Sequence, residues 1–245
     1  MAVAWQEIFL YILFVVGTAA TLFAFFWGRR LRRSGGIPAA VRNDPAFSSF
    51  LDNGRCVGGE IEVEAPSVQT LLDLLALHLE NPMSFMQSAW GRQGGVTGQI
   101  HVERTQDSEI TFTASGLNIV AGIVRGEIGS PGRTVRVRWA LQLSGGTTLI
   151  TLGQCWAIFI SLPASVIAPI LIYKYVLTSP NPAVRGQFLQ ALQICQVLWE
   201  PYLFMGLAST MARSSGRYLE MVISAAAYEA RTGRPAAASL PSGMK

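Results

Sequence analysis

The stretch Trp139–Tyr173, WALQLSGGTTLITLGQCWAIFISLPASVIAPILIY, contains no charged residue. A hydrocarbon core about 30 Å thick needs roughly 20 apolar residues in a helix to cross it. This run exceeds that length, and two others meet it. Ile8–Gly28 is uncharged, and Gly186–Ala212 is broken only by Glu200. Three transmembrane helices are therefore predicted, with a polar stretch of domain size between the first and the second.

Upstream of the run, Val135, Val137, Trp139, Leu141 and Leu143 alternate with Thr134, Arg136, Arg138, Ala140 and Gln142, the pattern of a half-buried strand. Downstream, Gly145-Gly146 hinges into a span over about Leu149–Val176, in which Pro163 and Pro169 predict kinks. Ser179-Pro180-Asn181-Pro182 makes a tight turn, and the third span returns over about Phe188–Met211. Arg217–Arg231 reads as a separate helix with Leu219, Val222, Ile223 and Ala226 on one side, and the Ala/Ser/Pro-rich end as disordered.

The polar stretch reads as an α+β domain. Ile61 and Val63 alternate with Glu60, Glu62 and Glu64, and Val68, Leu71, Leu72, Leu75 and Leu79 then follow helical spacing with Pro66 in the first turn. Asn81-Pro82 stops that helix. Strand signals follow at Gln99–Arg104, Glu109–Ala114 and Leu117–Ile128, the last with bends expected at Gly122 and Gly126. The expected order is β-α-β-β-β-β, a small antiparallel sheet with one packed helix. The predicted organisation is an anchor over 1–33, a linker over 34–55 and the domain over 56–145. A transmembrane hairpin over 146–211, a cytoplasmic helix over 212–234 and a disordered tail over 235–245 complete it.

Half of the 245 residues are hydrophobic and 14% are charged, against about 25% charged in soluble domains. The net charge of +4 and pI near 9.2 do not indicate nucleic acid, because the cations flank spans. Arg29, Arg30, Arg32 and Arg33 follow the first; Arg133, Arg136 and Arg138 precede the second; Arg213 and Arg217 follow the third. With all three clusters on the cytoplasmic side, only Lys174 and Arg185 lie on the far side, which is the orientation the positive-inside rule favours. The expectation is a bacterial inner-membrane protein with its N-terminus outside and its domain and C-terminus inside. The first run lacks a basic n-region and is longer than a usual h-region, so a retained anchor is expected rather than a cleaved signal. Cys155 and Cys195 fall in spans and Cys56 stands alone, which makes no disulfide framework.

Glu200 is the sharpest single feature. On an α-helix it shares one face with Gln190, Gln193 and Gln196, with Gln187 at the edge, forming an intramembrane polar stripe. That stripe reads as a path or groove for a polar ligand, or as hydrogen-bonding glue to another helix or subunit. Alternatively, Glu200-Pro201 breaks the helix and takes the acid to an interface. Arg29, Arg30, Arg32, Arg33, Arg136 and Arg138 are candidates for contact with anionic headgroups. Phe85, Trp90, Phe112, Val137 and Trp139 are candidate core or apolar ligand residues. His78 and His101 make no pair with ligand or base spacing, no catalytic or metal-binding residues are identified, and no cofactor is expected. The expected partners are membrane lipids and other membrane subunits or a second copy, and the chain is expected not to be an enzyme.

The succession Gly59-Glu60-Ile61-Glu62-Val63-Glu64-Ala65-Pro66, a helix and consecutive antiparallel strands resembles the START-like, helix-grip (SRPBCC) superfamily over about Gly58–Leu143. Domains of that superfamily open with a strand ending in x-A-P. The turn Thr178–Arg185 is similar to hairpins of uncharacterised bacterial membrane proteins that carry such a domain. The resemblance implies an apolar cavity under the sheet for lipids or other hydrophobic molecules. Because Leu143 runs almost directly into a span, the superfamily's long C-terminal helix is expected to be missing. Two functions follow as expectations. In one, the domain binds a lipid-like ligand or a partner at the membrane surface. In the other, the chain is a structural or assembly subunit packed through the glutamine stripe.

Overall fold

The computed structural model describes residues 2–33, 37–51, 55–80, 100–115, 119–129 and 134–235. The chain divides into two compact units. One joins Met1–Arg33 to Thr147–Ser209, and the other joins Ser34–Gly146 to Thr210–Lys245.

The second unit is built on strands β1 (Cys56–Glu64), β2 (Ile100–Gln106), β3 (Glu109–Ala114), β4 (Ile119–Ile128) and β5 (Thr134–Leu143). They form one antiparallel sheet in the order β1-β5-β4-β3-β2, so the first strand closes against the last. The β1–β5 register runs from Cys56 opposite Gln142 to Glu64 opposite Thr134. Helix α4 (Val68–Glu80) begins two residues after Pro66, which is therefore outside its first turn. Ser67 is its cap, accepting the Thr70 N–H at 3.0 Å.

The sheet has more than the one packed helix expected. Three helices precede α4: α1 (Ala2–Arg33), α2 (Ala39–Arg42) and α3 (Pro45–Leu51). On one face of the sheet, Val57, Val63, Val124, Val135, Val137, Trp139, Leu141 and Leu143 bury against Leu71, Leu72, Leu75 and Leu79 of α4. Leu219, Val222, Ile223 and Ala226 bury against the same face. They belong to the last helix, which runs unbroken over Glu200–Thr232, so the Arg217–Arg231 segment is its distal part and not a separate element. A long C-terminal helix therefore covers this face, separated in sequence from β5 by the apolar hairpin. Arg231 reaches Glu64 at 2.7 Å and His78 meets Glu229 at 3.0 Å, fixing that helix at its far end.

On the opposite face, Val41 and Phe47 bury against Ile123 and Ala140. Residues 37–51, read above within a linker, therefore belong to the domain. Their helices are short, but their apolar residues cover the sheet positions that alternation leaves facing away from α4.

The first unit comprises α1, the continuous helix Gly145–Leu177 and the returning chain. The long helix consists of α5 (Gly145–Trp156), a π turn (Ala157–Ser161), α6 (Leu162–Ile172) and a second π turn (Tyr173–Leu177). The first π turn ends two residues before Pro163, whereas Pro169 lies inside α6. In the first, the Leu162 N–H bonds the carbonyl of Ala157, five residues back, just before Pro163 withdraws a donor. The returning chain is α7 (Pro182–Gly186), α8 (Phe188–Ala191), a 3₁₀ stretch (Leu192–Leu198) and α9 (Glu200–Thr232).

Two helices are long and apolar enough to cross a membrane, Trp5–Leu31 and Gly145–Leu177. Only 22% and 33% of their apolar windows are buried, whereas a soluble protein's core helix would be mostly covered. The third predicted span is not such a helix, because the chain breaks from α8 to 3₁₀ to α9 within it. Pro201 accounts for the second of these breaks. It supplies no N–H to the Val197 carbonyl four residues back. Trp156 Nε1 and Ser161 Oγ donate to that carbonyl instead, at 3.1 and 2.8 Å.

Candidate functional site

Unpartnered polar groups on the helix-covered face of the sheet distinguish it from an ordinary apolar core. Gly59 lies directly opposite Trp139, and the indole lies over that glycine, where any Cβ would collide with the ring. Gly216 of α9 closes over the other side, its Cβ position 3.0 Å from the ring. The indole is thus clamped between strand and helix, and among the described residues Trp139 Nε1 has no hydrogen-bond partner. Tyr218, two residues along α9, packs against the same cluster, and its hydroxyl is also buried and unpartnered. Burial pushes the Tyr218 hydroxyl up to about 12.

Arg55 supplies a charge to this face. The Leu143 N–H bonds the Arg55 carbonyl at 2.9 Å, extending the β1–β5 ladder by one residue. Strand alternation then puts Arg55 on the side of Val57 and Val63. Its residue is 6% exposed, and among the described residues its Nε and Nη1 have no partner. Desolvation holds its guanidinium below the ordinary arginine value. A buried cation without a counter-charge is costly, and fully buried arginines are normally paired. Sequence reasoning missed Arg55 because it sits between a turn and a strand with no motif around it. The alternation of β1, extended back by two residues, was the available signal.

The other predicted residues fall into three groups. Phe112, Val137 and Trp139 are brought together in the core, with Phe112 lying over Gly122 much as Trp139 lies over Gly59. Gly122 and Gly126 therefore accommodate the Phe112 ring and Val68. The irregularity of β4 falls instead between Ile119 and Ala121. Phe85 and Trp90 lie outside the described residues.

Arg136 and Arg138, expected at the membrane surface, are paired across the sheet. Their cross-strand neighbours on β1 are Glu62 and Glu60, and these neutralise them. Arg136 bonds Glu62 at 2.8 Å and Glu60 at 3.1 Å, which raises its pKa. Arg138 meets Asp44 at 3.1 Å and Glu127 at 3.3 Å. Asp44 also pairs with Arg125 at 3.3 Å and caps α3 by accepting the Ala46 N–H. Arg29, Arg30, Arg32 and Arg33 occupy the last turns of α1, with Arg29 and Arg30 exposed.

The stripe is placed differently from its α-helical projection. Gln190, Gln193 and Gln196 are exposed, while Glu200 is half-buried at the start of α9. In the 3₁₀ stretch residues three apart are eclipsed, so Gln193 and Gln196 line up there, with Gln190 in α8 just before it and Glu200 off their line. Among the described residues no group of three or more His, Cys, Asp or Glu is placed to hold a metal ion. No family model, curated protein or solved structure matches this chain.

Proposed function

We propose that this is a non-enzymatic membrane-anchored protein whose α+β domain binds an amphiphile with an anionic group on the helix-covered face of its sheet. The observation that carries this reading is Arg55, a buried residue whose Nε and Nη1 have no partner and whose charge meets no counter-charge among the described residues. The orphaned Trp139 Nε1 and Tyr218 hydroxyl add two donors suited to carboxylate or phosphate oxygens. The helix-grip arrangement, with α4 and α9 laid across one face, supports it further, since that is the layout expected of a START-like domain. In this reading the domain and the C-terminus are cytoplasmic, with α1 and the hairpin in the inner membrane.

Arg55→Met tests it in protein extracted gently from its own membranes. Native mass spectrometry of the parent is expected to show an anionic lipid-like adduct, which is lost from the variant. Delipidation should lower the melting temperature of the parent and leave that of Arg55→Met unchanged. A parent that carries no adduct and melts alike before and after delipidation sinks the proposal.

A second reading, a subunit of a larger membrane assembly, is favoured by the exposed glutamine row. Side-chain amides facing outward at membrane depth require partners.

A further inference from the structure

We infer that the row Gln190, Gln193 and Gln196 is a self-association seam, in which each glutamine pairs with its own counterpart in a second copy of this chain. The inference rests on reading the apolar unit as membrane-embedded, and it replaces the unspecified partner of the assembly reading with a defined one.

The spacing of the glutamines is three, and so is the period of the element that carries two of them. In an α-helix, six residues from Gln190 to Gln196 turn the side chain 120° away from its start. In a 3₁₀ helix each step of three returns the side chain to the same line, about 6 Å further on; the step from Gln193 to Gln196 lies wholly in such a helix, and Gln190 stands two residues before it. The chain adopts 3₁₀ geometry over Leu192–Leu198, and Gln190, Gln193 and Gln196 are all exposed. Trp199, three residues beyond Gln196, is 69% exposed.

The depth of the row follows from its neighbours. Phe188 packs against Leu10 and stands edge-on to Trp5, near the start of the α1 span. Leu198 reaches Gly17, in the middle of that span. The glutamines lie between these levels, where lipid offers no hydrogen bonds.

A side-chain amide carries both donor and acceptor, so two facing amides satisfy each other. Membrane insertion gives every copy the same orientation, so a two-fold axis must run along the membrane normal. Such an axis sets the two rows parallel, with like residues meeting. An anionic or cationic partner would leave half of each amide unmatched, whereas a second copy matches all of it.

Disulfide trapping in native membranes tests the seam, using full-length protein in which Cys155 and Cys195 are replaced by serine and buried Cys56 is retained. Gln193→Cys is expected to cross-link at least about tenfold faster than Ile12→Cys, an exposed control at similar depth, because a held pair has a far higher effective concentration than a colliding one. Equal rates overturn the inference. Resonance energy transfer between labelled copies in liposomes should fall to the level of random collision when all three glutamines become leucine; unchanged transfer also overturns it. An alkaline carbonate wash separates this failure from that of its premise. Protein that stays in the membrane but does not pair defeats the seam alone, whereas protein that washes off defeats the membrane reading and the seam with it.

Discussion

Asp44 ties three elements of the domain together. Its carboxylate is nearly buried, caps α3 and holds Arg125 and Arg138 from two different strands. Asp44→Asn keeps the cap but removes the charge, leaving two partly buried cations short of a partner. We expect a loss of about 2–3 kcal/mol, below the 3–5 typical of a fully buried pair because Glu60 and Glu127 remain nearby. The shift in the denaturation midpoint of the purified protein measures it. Gly59→Ala acts by sterics alone, since its Cβ would enter the Trp139 ring that Gly216 prevents from lifting. A loss of about 1–3 kcal/mol is expected from such overpacking. Cys56 and Tyr218 set the alkaline limit. Burial raises the Cys56 thiol to about 11 from an unfolded value of 9.0 and the Tyr218 hydroxyl to about 12 from 10.0. The folded domain thus favours the protonated form of each group, so their contribution to stability is complete below about pH 9 and is lost as pH rises towards 12. Melting temperatures recorded across that range should fall, and Tyr218→Phe should flatten the upper part of the fall.

At the scale of elements, the return strand of the hairpin is a set of backbone bonds rearranged around Pro201. Trp156 and Ser161 donate to the Val197 carbonyl that the proline leaves without a helical donor. A variant with Trp156→Phe and Ser161→Ala strands that carbonyl in apolar surroundings, at a cost of about 1–3 kcal/mol. Adding Pro201→Ala should recover most of the loss, because residue 201 then supplies the missing N–H and an α-helix can run through. Recovery of thermal stability in detergent checks this, and a triple variant no more stable than the double would separate the break from the proline. Other side chains in this unit also donate to helix carbonyls. Tyr202 donates to the Ala20 carbonyl at 2.6 Å and Gln154 to that of Phe25 at 3.3 Å, while large apolar side chains such as Phe23 and Phe159 face outward. Polar groups inside and apolar groups outside is the pattern a lipid environment selects.

For the whole molecule, α9 is the element that both units share by sequence, beginning in one and ending in the other. Its distal half completes the core of the sheet, so the domain cannot be complete until the hairpin between β5 and α9 has been made. A chain ending after Ala212 should keep α1 and α5–α6 but expose the sheet face that Leu219, Val222 and Ile223 cover. Limited proteolysis should then degrade residues 56–143 while the apolar segments stay protected. The milder Ile223→Ala, at a fully buried site, should cost about 2–4 kcal/mol while leaving the fold intact.

Sequence periodicity by itself determined much of this protein. The core face of β5, the buried face of α4 and the antiparallel strand succession are all legible, because alternation and helical spacing are local consequences of burial on one side. The apolar lengths of α1 and α5–α6 are legible for the same reason, as is the break that Glu200-Pro201 makes. What only the tertiary structure decided depends on residues far apart in the chain. That Arg136 and Arg138 are neutralised follows from the register of β1 on β5 and the arrival of Asp44. That residues 37–51 cover a sheet face, and that the last helix closes the other, follows from apolar surface the sheet could not bury alone. The glutamine row shows the division most clearly. Its period of three stands in the sequence, but it aligns the amides only because the chain around it gives up α-helical geometry for 3₁₀ next to Pro201. Arg55 is the converse case, unremarkable in sequence and unusual only once a folded core has removed its water and given it no counter-charge among the described residues.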